Sequence, residues 1–82
     1  MAEDELRVIT VNVQGRGEYD VEAYPHEDIR TLKEKALDLA GVPIGQADNF
    51  YVLCDGQRFA DYDLVRDLPS DYVKMLASEI QG

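Results

Sequence analysis

The sequence predicts an α+β domain in which a mixed sheet of four to five strands packs on one amphipathic helix. Three observations lead there. Two stretches of alternating apolar residues flank Gly15-Arg16-Gly17, the segment from Ile29 to Ala40 repeats its apolar positions at helical spacing, and β-rich segments return after Asn49.

From Leu6 to Val13, Ile9, Val11 and Val13 alternate with Val8, Thr10 and Asn12, the pattern of a half-buried strand. Gly15 and Gly17 tolerate the positive φ of a tight turn, after which Tyr19, Val21 and Ala23 alternate with Asp20 and Glu22. A hairpin is expected. Pro25 ends the second strand, and Asp28 is placed to cap a helix over Ile29 to Ala40, with Glu27 adding to the favourable charge at its start. Ile29, Leu32, Ala36, Leu39 and Ala40 form its predicted buried stripe, while Arg30, Glu34, Lys35 and Asp38 face water. Gly41 and Pro43 stop it.

Asn49 to Cys54 and Gln57 to Phe59 read as a second hairpin around Asp55-Gly56. Residues 60–71 read as a turn-rich connection with a short helical turn, in which Leu64, Val65 and Leu68 plug the open end of the core. Tyr72 to Leu76 is the last strand. A single domain then spans residues 1–82, with a flexible acidic start over 1–6, including Glu3-Asp4-Glu5, and a flexible tail over 77–82.

Eight basic against 17 acidic residues leave a net charge of −9, a field that repels nucleic acid and anionic membranes and favours a partner with a basic face. Cys54, the single cysteine, excludes an internal disulfide, a Cys-rich zinc site and a four-thiolate cluster. Its expected inward position, and the placement of the sole histidine, His26, in a loop, argue against a Cys–His catalytic pair. Gly15-Arg16-Gly17 lacks the following helix of a phosphate loop, and Asp61, Asp63 and Asp67 lack calcium-loop spacing and read as solvated surface. No cofactor, metal or enzymatic activity is expected. With no apolar run of membrane-spanning length and no basic leader, a cytoplasmic location and a monomer are the expectations.

Alternation turns Val52, Cys54, Val73 and Met75 toward the helix and Tyr51, Leu53, Lys74 and Leu76 outward, so two strands would share an exposed patch suited to a partner. Lys33 lies beside the buried stripe, where it must snorkel or pair with a carboxylate.

The order hairpin, helix, hairpin, return strand, together with Ile29 to Gln46 (IRTLKEKALDLAGVPIGQ) and Val52 to Gln57 (VLCDGQ), resembles ubiquitin and its β-grasp relatives from Val8 to Gly82. Lys33 and Lys35 fall on lysine positions of that family, and Leu53, Lys74 and Leu76 on its recognition patch. The resemblance implies a protein modifier whose C-terminal Gly82 is adenylated, passed to a thiolate and joined to target proteins. Its implied partners are activating and conjugating enzymes, a processing protease and the targets. Ser78, Ile80 and Gln81 would be the tail residues those enzymes read, and Lys35 and Lys74 the acceptor lysines of any chain. Ser78 and Ile80 replace the family's tail arginines, and Gln81 replaces its penultimate glycine. These departures imply a divergent relative of prokaryotic type with its own enzymes. A non-conjugated interaction module and a sulfur carrier are the alternative readings.

Overall fold

In the computed structural model, which describes residues 5–78, the elements follow the order β1 (Arg7–Val13), β2 (Gly17–Ala23), α1 (Ile29–Ala40), β3 (Phe50–Cys54), β4 (Gln57–Phe59) and β5 (Tyr72–Ala77). Two 3-10 turns, Ile44–Asn49 and Val65–Asp67, lie in the connections.

The β1–β2 hairpin is antiparallel, with Val11 opposite Tyr19, and its turn needs glycine because Gly15 and Gly17 have φ of 80° and 107°. The last strand does not extend the hairpin. It enters beside β1 in parallel, Val11 opposite Val73, which makes the sheet order β2-β1-β5-β3-β4 with the chain's two end strands at its centre. A parallel pair requires a crossover, and α1 is part of it. The helix covers one face of the sheet, so Ile9, Val11, Val52, Val73 and Met75 are buried against Leu32 and Leu37. The period-two pattern of every strand leaves the other face open.

Asp28 caps α1 as expected: its Oδ1 accepts from the backbone N–H of Thr31 at 2.9 Å and from the Thr31 hydroxyl at 2.7 Å. Those two bonds hold the Asp28 carboxyl below its ordinary value. Asp28→Ala should therefore cost about 1 kcal/mol in chemical denaturation. Gly41 ends the helix at φ 77°.

Two expectations are corrected. Leu39 is not in the buried stripe but 54% exposed; Leu37 and Lys33 occupy the stripe instead, because positions 29, 32, 33, 36 and 37 make one face of a straight helix. The segment after Pro43 is a 3-10 turn that buries Ala47. Ala77 and Ser78, expected in the flexible tail, are held by the sheet: Ala77 belongs to β5 and the Ser78 N–H bonds the Asn49 carbonyl at 2.7 Å, while residues 79–82 lie outside the described residues. At the other end β1 starts at Arg7, with Glu5 and Leu6 exposed before it, and residues 1–4 lie outside the described residues. In the connection, Val65 and Leu68 fill the end of the core as expected while Leu64 is half-buried, bridging to Asp28. Arg7 ties that connection to β1 by donating to the Val65 and Ser70 carbonyls and pairing with Asp71.

Candidate functional site

The open sheet face brings together all four residues of the expected patch. Antiparallel pairing of β3 with β5 sets Tyr51 opposite Leu76 and Leu53 opposite Lys74. Pairing of β3 with β4 then puts Arg58 on the other side of Leu53. Tyr51, Leu53 and Leu76 are half-buried by their neighbours, whereas Lys74 and Arg58 are exposed. The Arg58 guanidinium lies 4.4 Å from the Tyr51 ring centroid, a cation–π contact that holds both side chains against the sheet. A shallow depression of about 270 Å³ opens between Leu53, Tyr72 and Lys74, with the Asp55-Gly56 turn as its rim. The depression can accept one aliphatic side chain against Leu53 and Tyr72, beside the Lys74 ammonium.

The charges of this face are segregated by strand. Glu18, Asp20 and Glu22 line β2, whereas Lys74 and Arg58 flank Leu53 at the far side. Between them the Tyr72 hydroxyl bonds Glu18 at 3.1 Å and accepts from Asn12 at 3.1 Å, and the Thr10 hydroxyl donates to Asp20 at 2.9 Å. Arg7, Arg30, Lys33 and Lys35 are all in ion pairs, but no ion pair among the described residues includes Arg58 or Lys74. The whole-chain charge of −9 points to a basic partner, yet the patch itself is locally cationic. Sequence reasoning missed Arg58; the signal was its place three residues beyond the Asp55-Gly56 turn start, which returns it to the side of Leu53.

The remaining candidates are scattered. Ser78 is half-buried beside Arg58 and Tyr51 at a groove next to the end of β5, while Ile80, Gln81 and Gly82 lie outside the described residues. Lys74 is exposed. Lys35 is less free than its sequence position implied, because its Nζ donates to the Glu22 carbonyl and the Glu27 carboxylate, each at 2.9 Å. Burial works against the Glu27 charge, but Lys35 and the Tyr24 N–H outweigh it and lower its carboxyl below the ordinary value. Cys54 is buried as expected, its Sγ 3.4 Å from the Tyr72 carbonyl, and the His26 ring stacks on Tyr24 at an exposed position.

A second polar cluster is structural. Lys33, only 3% exposed, donates to the Ala47 and Phe50 carbonyls at 2.9 Å each and pairs with Asp61 at 2.7 Å. Asp61 is thus not merely solvated surface: it neutralises a buried ammonium and also meets Arg30 at 3.2 Å. Burial disfavours the Asp61 charge, but Lys33 and Arg30 together hold its carboxyl below its ordinary value. Asp63 and Asp67 also have work in the fold, accepting from the Ala60 and Leu64 N–H groups. No helix among the described residues is long and apolar enough to cross a membrane.

No family model and no curated protein matches the sequence. Solved structures do match in three dimensions. A de novo design based on ubiquitin superposes with a TM-score of 0.77 at 16% identity, covering 93% of each chain. A solution structure of an N-terminal ubiquitin-like domain superposes with a TM-score of 0.71 at 14% identity, covering 100% of this chain and 84% of that one. With the mixed five-stranded sheet, its parallel central pair and the single covering helix, these likenesses establish that the chain has the ubiquitin-like β-grasp fold.

Proposed function

We propose that this protein is a ubiquitin-like modifier, attached to target proteins through Gly82 and recognised at the open sheet face around Leu53. The observation that supports the reading is the meeting of Tyr51, Leu53 and Leu76 with Lys74 and Arg58 on one exposed surface beside the end of the last strand. Recognition surface and outgoing chain are then adjacent, so one enzyme can hold the patch while working on the tail.

In this reading the Gly82 carboxylate attacks the α-phosphorus of ATP and releases pyrophosphate. An enzyme thiolate next displaces AMP to form a thioester, and a target amine or hydroxyl displaces the thiolate. Glycine suits the approach because no side chain obstructs the backbone in a narrow channel. The chain contributes the carboxylate and the binding surfaces, acts as a cytoplasmic monomer, and leaves catalysis to the activating and conjugating enzymes. A processing protease would expose Gly82 where a longer precursor exists.

A second reading, a non-conjugated interaction module, is favoured by the Ser78–Asn49 hydrogen bond. It holds Ser78, one of the residues that conjugating enzymes would read, against the start of β3 instead of leaving it free.

Mass spectrometry of tagged protein from its native host, purified under denaturing conditions, separates the readings. Adducts joined through Gly82 and lost on its deletion are the expected result. A single unmodified species in wild type and deletion alike overturns conjugation in favour of the module, and a mass gain matching oxygen-to-sulfur exchange identifies a sulfur carrier.

A further inference from the structure

We propose that Tyr62, in the connection after β4, is a phosphoryl-acceptor site for a tyrosine kinase with a basic substrate groove. It is not one of the residues that form the patch around Leu53, and the inference stands independently of the function proposed above.

Four of the five tyrosines are used by the fold. The Tyr19 hydroxyl donates to the Arg16 carbonyl at 3.0 Å and its ring packs on the core, while the Tyr24 ring stacks on His26. The Tyr51 ring lies against the Arg58 guanidinium, and the Tyr72 hydroxyl is held between Glu18 and Asn12. Tyr62 is 83% exposed and has no hydrogen bond or ring contact among the described residues. One exposed aromatic ring is ordinary by itself. The turn beneath this one distinguishes it. The Asp63 N–H bonds the Ala60 carbonyl at 3.0 Å and the Ala60 N–H bonds Asp63 Oδ2 at 2.8 Å, so residues 60–63 close a tight turn with Tyr62 third of the four. The start of α1 fastens that turn: the Ile29 N–H bonds the Asp63 carbonyl at 2.8 Å and the Arg30 N–H bonds the Asp61 carbonyl at 3.1 Å. Lys33 fixes the Asp61 carboxylate. Both neighbours of Tyr62 are thus anchored by backbone and side chain, while its own side chain is committed to nothing. Because the phenol is the longest of the hydroxyl-bearing side chains, its oxygen can enter a catalytic cleft while the fastened backbone stays outside.

Charge selects the enzyme. Asp61 and Asp63 flank Tyr62, and Asp67 lies exposed shortly after, in a chain of net charge −9. A groove that binds this segment must present lysine or arginine. In the transfer, Tyr62 Oη bonds to the γ-phosphorus of ATP, the bond from that phosphorus to the β–γ bridging oxygen breaks, and ADP leaves. The phenolic proton passes to a carboxylate base of the kinase. The phosphate adds a charge of about −1.5 to −2. Arg30 and Lys33, the cations that α1 places on this turn, are already engaged by Glu34, Asp48 and Asp61. The new oxygens therefore stay in water, open to the arginines of a reading partner, and the fold is retained.

The test incubates the folded full chain with ATP and a recombinant tyrosine kinase selective for acidic flanks, beside a synthetic peptide of residues 57–66. Expected is one phosphate, on Tyr62, absent in Tyr62→Phe and added at least about tenfold faster than at the other four tyrosines, which must first open locally. Equal rates at Tyr19 or Tyr24 would overturn the selection by exposure, and a peptide that accepts phosphate where the folded chain does not would show that the turn shields Tyr62. In protein from the native host, mass spectrometry should find a gain on Tyr62 that alkaline phosphatase removes. A gain that phosphatase leaves in place would mark sulfation and overturn the phosphoryl assignment, as would a Tyr62 that is unmodified throughout.

Discussion

Lys33→Ala should lower the stability of the domain by about 3–5 kcal/mol, the range for breaking a buried ion pair by removing one partner. The reason is the number of groups the ammonium serves. It satisfies the Ala47 and Phe50 carbonyls, neutralises Asp61 and fastens α1 to both the 3-10 turn and the connection after β4. For a chain of this length, total stability at about 0.05–0.15 kcal/mol per residue is of the same order, so the variant should be partly unfolded at room temperature. Lys33→Met keeps most of the stem and removes only the charge. It should still lose about 1–3 kcal/mol through the unsatisfied carbonyls, and a loss below about 0.5 kcal/mol in urea denaturation would show that the ammonium is dispensable.

The same cluster sets an acid limit. The Asp61 carboxyl is lowered in the folded state, so its contribution is complete above the unfolded value near 3.8 and is lost as pH falls through the depressed folded value. Asp28 acts in the same direction. Asp61→Asn should flatten the fall of stability below pH 3.8; because Asp61 is 39% exposed, its cost at neutral pH should be smaller than that of removing Lys33. An unchanged acid profile in Asp61→Asn would separate the acid limit from this ion pair.

Leu53→Ala should weaken capture of native partners by about 1–2 kcal/mol, roughly tenfold, while the domain stays folded. Leu53 sits between Lys74 and Arg58, so truncation removes the one aliphatic anchor in the cationic part of the face. Lys74→Glu should weaken the same binding with a stability change within about 0.5 kcal/mol, because the side chain is exposed and in no ion pair among the described residues. Local cations and the overall charge make opposite predictions for this substitution. A partner that is acidic at the contact should lose affinity in Lys74→Glu, whereas a basic partner steered by the whole-protein field would gain it. Unfolding of Leu53→Ala would mean that Leu53 serves the sheet and not recognition.

Much of the architecture was legible because it depends on local periods. Ile9, Val11 and Val13 announce β1, Asp28 and Gly41 bracket α1, and Asp55-Gly56 announces the β3–β4 turn, each from residues within a few positions of one another. The same alternation placed Tyr51, Leu53, Lys74 and Leu76 outward. It could not show that Arg58 completes the patch with Lys74 on the other side of Leu53, since that depends on the register of three strands. The helix face shows the limit most clearly. By polarity Leu39 belongs inside, yet it is exposed, whereas Lys33, expected beside the buried stripe and paired with a carboxylate, is buried and does pair with Asp61. A lysine can be buried only where acceptors and a counter-charge converge, and those of Lys33 come from Ala47, Phe50 and Asp61, which are distant in sequence.

The sequence by itself thus determined the element order, the helix ends and which strand residues face the helix, because backbone propensity and side-chain alternation act over a few residues. Tertiary structure alone decided the parallel placement of β5 beside β1, the burial of Lys33, the cationic surroundings of Leu53 and the open acidic edge of β2. Each of these arises where segments far apart in the chain meet, and the charge, hydrogen-bond partners and solvent exposure of a residue are set by those neighbours.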